Sequence, residues 1–293
     1  MGSGSWSSRS FSDYTTTTKG MAVADFIDTS FSAQELYKAR RLSAVLDPKN
    51  VMRECRDSEE HPNTLPVILA LDVTGSMGDS AVKVAQKLNE IMTELYNDTN
   101  AQDIEFCIMG IGDLYCDSSP IQISQFESDI RIAEQLDELY FEGGGGGNSY
   151  ESYTAAWYMG VNHCDLDCWK RGQKGIIITM GDELPNPYLP KNGRYCGLAE
   201  ATGDKLQDDV LTEDLYQQVT EKFDVYHISI DDKESSYSWN NRRNNLDEHW
   251  TELIGDHYSV ANLDNLATRI VEIVTQRNTT VSSITTDGNE VVW

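Results

Sequence analysis

Three oxygen-bearing side chains alternate where an apolar segment of this sequence ends. The stretch "ILALDVTGSMGDS" begins at Ile68, and its polar half carries Asp72, Thr74 and Ser76. In an extended or gently curved loop every second side chain points the same way, so one carboxylate and two hydroxyls can converge. Hard oxygen ligands that leave several waters in place are what Mg²⁺ accepts. The spacing therefore predicts a divalent-cation site that begins at Asp72.

Two other segments carry polar residues that could meet this loop. The first, "GGGGGNSYES", contains glycines 143–147, and the second, "GIIITMGDE", is an apolar run that ends beside Asp182. A second carboxylate on a neighbouring strand could join the ion directly or through a water. No "GKS" or "GKT" follows the glycines, so a phosphate-binding P-loop is unsupported, and a flexible linker is the simpler alternative. Asp113 and Asp117 follow another apolar run, and we expect solvated loop carboxylates there, with a place at the border of the site as the alternative.

Strand and helix patterns alternate from Leu65 onward, and these elements would position the loops. Apolar or β-rich segments predict strands, and the amphipathic segments between them predict helices. The alternation is typical of an α/β fold with a doubly wound, mostly parallel six-stranded sheet and helices on both faces. In such a sheet, ligands bind beyond the carboxyl ends of the strands, where the strand order reverses. The predicted strands are "LPVILALD", "IEFCIMGIGD", "PIQISQF" at an edge, "GIIITMGDE", "FDVYHISIDD" and "HYSVA".

These residues resemble the von Willebrand factor A domain family, whose metal-ion-dependent adhesion site begins with Asp-x-Ser-x-Ser after the first strand. "DVTGSM" looks like that motif, with Thr74 keeping the hydroxyl of the first Ser. "IIITMGDE" is similar to the family's strand that ends in Thr-Asp-Gly, and "HWTELIGDHYSVANLDNLATRIVEIV" resembles its closing helix, strand and helix. The resemblance covers roughly Leu65 to Arg277 and implies the Rossmann-like fold of that family.

The resemblance also implies a set of metal ligands and a type of partner. Asn148 is the best positional match for the Thr of the family's second loop, and Glu151 would contact the ion directly or support a ligand. Gly181 precedes Asp182 where the family has Asp then Gly, which displaces the carboxylate by about 3.3 Å. Mg²⁺ is the expected ion, with Mn²⁺ or Ca²⁺ as alternatives, and a carboxylate of a partner protein would fill the last position. The implied ligands are Asp72, Thr74, Ser76, Asn148, Glu151 and Asp182.

The chain outside residues 65–277 is interpreted separately from this von Willebrand A domain. Residues 1–64 are expected to form an N-terminal arm and connector, and residues 1–20 to be flexible or partner-wrapped because Ser, Thr and Gly dominate them. A helical rhythm runs through residues 31–48 and predicts a helix there. Residues 278–293 are expected to form a tail or, around an Asp-Gly turn, a small hairpin.

Two further segments have residue types or lengths that suggest contact with a partner. The segment from Leu184 to Asp214 leaves the third loop of the candidate site and is long for a connection. The segment from Lys233 to Trp250 is rich in aromatic and arginine residues, which are enriched at interfaces. Ordinary surface is the alternative for both. A short motif, "HCDLDC", begins at His163 and has zinc-like spacing, but no second ligand pair stands nearby.

The charge balance limits the classes of partner. Lys and Arg number 23 against 48 Asp and Glu, which gives a net charge of −25. This field repels nucleic-acid phosphates and anionic membranes, so neither is expected as a partner, whereas cations are. No window is apolar enough to cross a bilayer. The six cysteines lack the density of a disulfide scaffold, so we expect a cytoplasmic protein with reduced thiols.

The favoured function is a non-enzymatic module that binds a protein through Mg²⁺ within a multi-protein assembly. Intracellular members of the family often act beside an AAA+ ATPase, so the resemblance implies a partner of that kind without naming it. One alternative is an enzyme that uses Asp72 and Mg²⁺ for phosphoryl transfer, although a dehalogenase-like phosphatase would want a second Asp where Thr74 stands. Another is a structural assembly protein whose metal stabilises the fold.

Overall fold

The computed structural model describes residues 4–75, 77–97, 103–142, 150–231 and 237–286. The strands in these ranges are β1 Arg53–Cys55, β2 Leu65–Asp72, β3 Ile104–Ile111, β4 Ile121–Ile123, β5 Tyr150–Glu151, β6 Cys164–Leu166, β7 Gly175–Gly181, β8 Leu184–Pro185, β9 Tyr188–Leu189, β10 Val210–Leu211, β11 Phe223–Ile230 and β12 Tyr258–Ala261. The α-helices are α1 Ser8–Tyr14, α2 Val23–Asp28, α3 Ala33–Leu36, α4 Gly78–Asn97, α5 Arg131–Asp137, α6 Ala155–Asn162, α7 Leu198–Thr202, α8 Thr212–Lys222, α9 Tyr237–Ile254 and α10 Leu266–Thr286.

A six-stranded sheet lies at the centre of the molecule, in the order β12-β11-β7-β2-β3-β4. Its strands pair in parallel, except that the edge strand β4 runs antiparallel to β3. The chain leaves β2 for β3 on one side and later returns to β7 on the other, so the strand order reverses at β2. A ligand crevice is expected at the carboxyl end of that strand. The predicted fold class is confirmed, including the edge position of the "PIQISQF" strand.

Side chains of β2 alternate between two hydrophobic layers, because successive residues of a strand face opposite sides. Val67, Leu69 and Leu71 lie in one buried cluster with residues of α4, α5 and α10. Ile68 and Ala70 lie in the other cluster, with residues of α6, α8 and α9. Helices therefore cover both faces of the sheet, and β2 is fixed from both sides up to its last residue.

The N-terminal segment packs into the first of these layers. Trp6, Phe11 and Phe26 are buried there together with residues of α4, and Trp6 donates a hydrogen bond through Nε1 to Asn89 Oδ1 at 3.2 Å. The expectation of a flexible arm is therefore wrong for residues 4–20. Its aromatic side chains bury enough apolar surface to offset the polar residues between them.

The helix predicted over residues 31–48 is limited to one turn, α3. Tyr37 ends it in an extended conformation, with φ −99° and ψ 114°. Its side chain is buried, and its hydroxyl donates to the carbonyl of Ala81 at 2.7 Å. Tertiary burial of one aromatic ring thus overrides the helical periodicity. The domain boundary expected between residues 64 and 65 stays a prediction.

The C-terminal helix is longer than its sequence pattern indicated. α10 continues to Thr286, so residues 278–286 are helical and do not form the first half of a hairpin, which was one of the two alternatives for this tail. Its Asp-Gly turn, at residues 287 and 288, lies outside the described residues. None of the helices in the described ranges is both long and apolar enough to span a bilayer.

The long segment after β7 packs onto the second layer. β8 pairs with β5, and β9 pairs with β10, while Leu189 and Leu198 are fully buried. The β5–β8 pairing is parallel and sets Glu151 opposite Pro185. The segment therefore holds β5, which carries Glu151, beside the loop that follows β7. Its expected role in partner selection stays a prediction.

Candidate functional site

Asp72 lies at the carboxyl end of β2 and is 2% exposed. Its Oδ1 accepts hydrogen bonds from the amide and the hydroxyl of Thr74, at 2.8 and 2.5 Å. Its Oδ2 accepts one from the hydroxyl of Tyr153 at 2.7 Å. Burial raises the pKa of Asp72 to about 7, the hydrogen bonds from Thr74 and Tyr153 oppose that rise, and the charge of Asp182 adds to it. The two predicted ligands Asp72 and Thr74 thus lie in contact, in a fixed orientation.

Glu151, on β5, is the second carboxylate of the site and is 5% exposed. Its Oε2 is buried and has no hydrogen-bond partner among the described residues. Burial raises the pKa of Glu151 to about 10, and the charge of Asp72 makes the next largest contribution. A buried carboxylate oxygen without a donor is costly, and either a proton or a bound cation offsets this cost beside a second carboxylate.

Asp182 follows β7 directly and is 1% exposed. Its negative charge raises the pKa of Asp72 and that of Tyr153, for which burial is the largest cause in both cases. Asp182 is therefore close enough to Asp72 for their charges to interact, and its role as a ligand stays a prediction. Ser76 and Asn148 lie outside the described residues, so their roles as ligands stay predictions.

Tyr153 is a residue of the site that sequence reasoning missed. It is fully buried against the rings of His227 and Trp250, with ring centroids 5.0 and 5.8 Å away. Besides donating to Asp72, its hydroxyl accepts a hydrogen bond from the amide of Glu183 at 3.2 Å. One phenol thus links the first and third loops. No local pattern in "ESYT" distinguishes this tyrosine from an ordinary core residue.

The same phenol accounts for the glycine that precedes Asp182. A Cβ added to Gly181 would lie 2.0 Å from the hydroxyl oxygen of Tyr153. Any side chain at this position would push the phenol away from Asp72. The order Gly then Asp, opposite to that of the resembled family, is therefore required by a contact of this chain.

Asp113 and Asp117, in the loop after β3, are buried rather than solvated, so that expectation is wrong. The amide of Asp113 donates to Asp117 Oδ2 at 2.8 Å, and the amide of Tyr115 donates to Asp113 Oδ1 at 2.9 Å. Both charges contribute to the raised pKa of Glu151, after burial and the charge of Asp72. The two carboxylates thus border the site, which was the alternative prediction.

The electrostatic character of the site is strongly negative. Arg242 of α9 pairs with Glu183 at the rim, next to Asp182. No three His, Cys, Asp or Glu side chains in the described ranges are arranged to hold a metal by themselves. Asp72, Glu151 and Asp182, the three carboxylates of the implied set, are therefore not arranged to hold an ion on their own, and the predicted site requires hydroxyl, amide or water ligands as well. Asp72, Thr74 and Glu151 fit a hard cation that keeps several of its waters.

A small cavity of about 50 Å³ opens beside the first loop. A cavity needs about 10–15 Å³ to hold one water molecule, so this cavity has room for water beside Thr74. A Cβ on Gly78 would come within 2.6 Å of the Ala33 Cβ, so α3 lies directly against the start of α4. Residues 32–34 of the N-terminal segment therefore form one wall of the cavity beside Thr74, which we call the mouth of the site. The cavity is lined by Ser32, Ala33, Gln34, Thr74, Gly75, Gly78, Asp79 and Phe141.

The histidine of "HCDLDC" is engaged elsewhere. Nδ1 of His163 lies 2.9 Å from the Val51 carbonyl oxygen, and Nε2 lies 2.7 Å from Asp204 Oδ2. Both ring nitrogens therefore have partners within the protein, and Cys164 and Cys168 are buried. The described residues offer no zinc site at this motif.

Comparison with known proteins identifies a shared fold. No family model and no curated protein matches the sequence. The pilus adhesin SpaC of Lactobacillus rhamnosus GG, in its open conformation, matches 78% of this chain at 13% identity with a TM-score of 0.50. This chain spans 31% of SpaC, so it corresponds to about a third of that protein.

Two further structures are similar over most of this chain, with lower scores. Proximal thread matrix protein 1 of the mussel byssus matches at 12% identity and a TM-score of 0.45, covering 73% of this chain and 48% of that one. The vWF domain of the type V pili tip protein Mfa5 of Porphyromonas gingivalis matches at 12% identity and 0.46, covering 74% and 96%. At such identities a likeness concerns the fold alone, and the SpaC match agrees with the doubly wound α/β architecture seen here.

Proposed function

We propose that this chain is a protein-binding module of the von Willebrand A type, which holds Mg²⁺ and uses it to bind a carboxylate of a partner protein. The observation that carries the proposal is the buried Glu151 Oε2, which has no donor in the described structure and lies close enough to Asp72 for their charges to interact. Like charges this deeply buried are stabilised by a cation. The proposed ligands are Asp72, Thr74, Ser76, Asn148, Glu151 and Asp182.

Each described residue has a distinct part in this proposal. Asp72 supplies the central carboxylate, and Tyr153 and Thr74 fix its orientation before the ion arrives. The Thr74 hydroxyl can turn its lone pairs toward the ion, since a hydroxyl both donates and accepts. Glu151 supplies the second carboxylate, directly or through a water. Mg²⁺ fits such mixed oxygen ligands, with Mn²⁺ and Ca²⁺ as alternatives.

A partner carboxylate suits a metal site on this chain. Mg²⁺ keeps exchangeable waters, and an incoming Asp or Glu can replace one of them. With a net charge of −25, the chain would repel an acidic partner unless an ion lay between the two surfaces. A similar fold in an adhesin is consistent with a binding role. We assign the module to a cytoplasmic multi-protein assembly, in which an AAA+ ATPase is one class of partner.

An enzymatic role is the weaker candidate. Phosphoryl transfer of the dehalogenase type would require a second carboxylate at position 74, and Thr74 instead donates its hydroxyl to Asp72. We therefore propose a non-enzymatic module. The remaining alternative, a metal that only stabilises the fold, predicts that the ion raises stability and that no partner depends on it.

The test compares the native chain with Asp72→Ala in Mg²⁺ and in EDTA. Mg²⁺ should raise the melting temperature of the native chain, since a ligand bound only to the folded state stabilises it. The rise should be lost in Asp72→Ala and kept in Asp264→Ala, a control at an exposed aspartate. Equal Mg²⁺ stabilisation of Asp72→Ala and the native chain would refute the site. Hydrolysis of p-nitrophenyl phosphate by the native chain and not by Asp72→Ala would favour the enzyme.

A further inference from the structure

A groove lies between the N-terminal segment and α4. Its volume is about 340 Å³, within the range of about 300–1,000 Å³ for clefts that receive ligands. The end of α2 and the residues after it form one wall, and α4 and the loop before α10 form the other. Its lining includes apolar side chains and charged ones, among them Phe31, Val82, Leu263, Asp28, Asp79 and Lys83.

A buried glutamine of α4 joins the two walls of this groove. Nε2 of Gln86 donates to the carbonyl oxygens of Phe26 and Thr29, at 2.9 and 2.7 Å. Phe26 is itself buried in the hydrophobic layer that α4 shares. The end of α2 is therefore fixed on α4, so the groove exists before any partner arrives. A preformed surface lowers the entropic cost of binding.

Apolar side chains contribute part of the lining. Val82 is buried, and Phe31 and Leu263 are half-buried where they pack against the first hydrophobic layer. The rest of these two side chains is open to the groove and to water. An apolar side chain that entered here would remove this surface from water, which favours binding.

The charges at the groove are mainly negative. Asp28 and Asp79 line it, are exposed, and have no ion pair among the described residues. Lys83 also lines it and lies 3.9 Å from Asp264, whose side chain is 94% exposed. Three carboxylates thus accompany one cation, and the local charge has the same sign as the −25 of the whole chain. Both fields attract an approaching cation.

The cations on the two helices beside the groove do not reverse this sign. Lys87, on α4, pairs with Glu90 at 2.6 Å, and Arg269, on α10, pairs with Glu272 at 2.9 Å. Each of these positive charges therefore has a carboxylate next to it. The two unpaired aspartates of the groove have no such compensation.

The groove adjoins the candidate metal site. Asp79 lines both the groove and the mouth of the site. Ser30 and Phe31 belong to the groove, and the next two residues, Ser32 and Ala33, belong to the mouth. A protein segment bound in the groove would therefore lie beside the metal site without using any of its proposed ligands.

We propose that this groove binds a segment of a partner protein that combines Lys or Arg with apolar side chains, whether or not the metal is present. The basic groups would pair with Asp28 and Asp79, and an apolar side chain would pack against Phe31, Val82 and Leu263. A basic segment is attracted by the net charge of −25, whereas a second copy of this chain would bring the same negative charge and be repelled.

The probe for this groove is a fluorescein-labelled peptide of alternating Lys and Leu, titrated into the full chain. About six residues span about 20 Å when extended. EDTA is present throughout, so the metal site contributes nothing and a failure here leaves the proposed function untouched. Salt at about 0.15 M limits the screening length to about 8 Å, which weakens the general field more than direct contacts.

Fluorescence polarisation should report saturable binding of this peptide. A peptide of alternating Lys and Ser has the same charge and should bind at least about ten-fold more weakly, because it has no apolar side chain to place in the groove. Equal binding of the two peptides would overturn the proposal, since charge alone would then explain it.

Paired substitutions distinguish the groove from the acidic surface in general. Asp28→Asn with Asp79→Asn should weaken binding of the Lys-Leu peptide about ten-fold. The matched control, Glu213→Gln with Asp214→Asn, removes the same charge from exposed positions in the first turn of α8, on the other face of the sheet, and should change the affinity less than about two-fold. Equal affinity of the two variants would overturn the proposal. Self-association of the native chain that the peptide inhibits, and that the first variant lacks, would overturn it in favour of a second copy.

Discussion

At the scale of single residues, the site is organised around one carboxylate whose hydrogen bonds are already in place. Asp72 receives three of them, two from Thr74 and one from Tyr153. Glu151 differs, because its buried Oε2 has no donor in the described structure. One carboxylate is thus oriented by the protein, and the other has a buried oxygen without a donor among the described residues, which is where the proposed ion would bind.

Tyr153→Phe should destabilise the protein, because it removes the donor to Asp72 and the acceptor of the Glu183 amide. The expected loss is about 1–3 kcal/mol in the free energy of unfolding, measured with urea. Tyr216→Phe is the matched control, since this ring packs against Trp157 with no described hydrogen bond through its hydroxyl. Equal stability of the two variants would show that the Tyr153 hydroxyl does not link the loops.

Glu151→Gln should weaken the metal response and leave the stability of the metal-free protein nearly unchanged. With a pKa of about 10, Glu151 is protonated in the metal-free protein at pH 7, and the amide has nearly the same shape, so the unfolding free energy should change by less than about 1 kcal/mol. Its increase in melting temperature with Mg²⁺ should shrink. A metal-free variant that is less stable than the native chain, with an unchanged Mg²⁺ response, would place Glu151 outside the site.

At the scale of elements, the local parts of the site were predictable and the long-range parts were not. β2 and the alternation after it can be predicted because both depend on neighbouring residues. Tyr153 could not be found, because it meets Asp72 across 81 positions of sequence. The need for Gly181 depends on the same contact. The burial of Asp113 and Asp117 likewise depends on the loops that cover them, which no window of sequence describes.

The β1–β6 pair offers a test of pH dependence away from the site. Hydrogen bonding to Lys170 lowers the pKa of Asp167 to about 2, burial opposes this, and Arg56 and the Asp57 amide lower it further. A depressed carboxylate pKa stabilises the fold above its unfolded value near 3.9, and this contribution is lost as the pH falls toward 2.

Asp167→Asn should therefore lower the unfolding free energy at pH 7 and reduce the loss of stability between about pH 5 and pH 2. Urea unfolding at several pH values measures both effects. Asp264→Asn, at a residue whose side chain is 94% exposed, serves as the control and should leave the profile unchanged. If both variants kept the native profile, Asp167 would not contribute to acid sensitivity.

At the scale of the whole molecule, the N-terminal segment completes the core and reaches the site. Its aromatic residues lie in the same layer as α4, and α3 lies at the mouth beside Gly78. The sequence did not predict this packing, because Ser and Thr dominate the composition of the segment and its burial depends on a few widely spaced aromatic rings. The six strands were predictable from their apolar runs, since a sheet buried on both faces requires them.

Phe26→Ala should cost about 3–5 kcal/mol in unfolding free energy, the range for a large ring removed from a packed core. Phe26 is 1% exposed and contacts both Phe11 and Phe31. Phe31→Ala is the control at a half-buried ring in the same segment and should cost less. A loss below 1 kcal/mol for Phe26→Ala, about that of a surface change, would mean that the segment is not part of the core.

Calorimetric titration of Mg²⁺ into the native chain and into Asp72→Asn tests the central claim most directly. Asparagine keeps the shape of the side chain, its oxygen can accept from the Thr74 amide, and its NH2 group would face the Tyr153 hydroxyl, so the substitution removes the charge and one acceptor. The native chain should bind Mg²⁺ saturably, and Asp72→Asn should bind at least about ten-fold more weakly, a difference of about 1.4 kcal/mol. Equal Mg²⁺ affinity of the two proteins, or no binding by the native chain, would contradict a metal site at the end of β2.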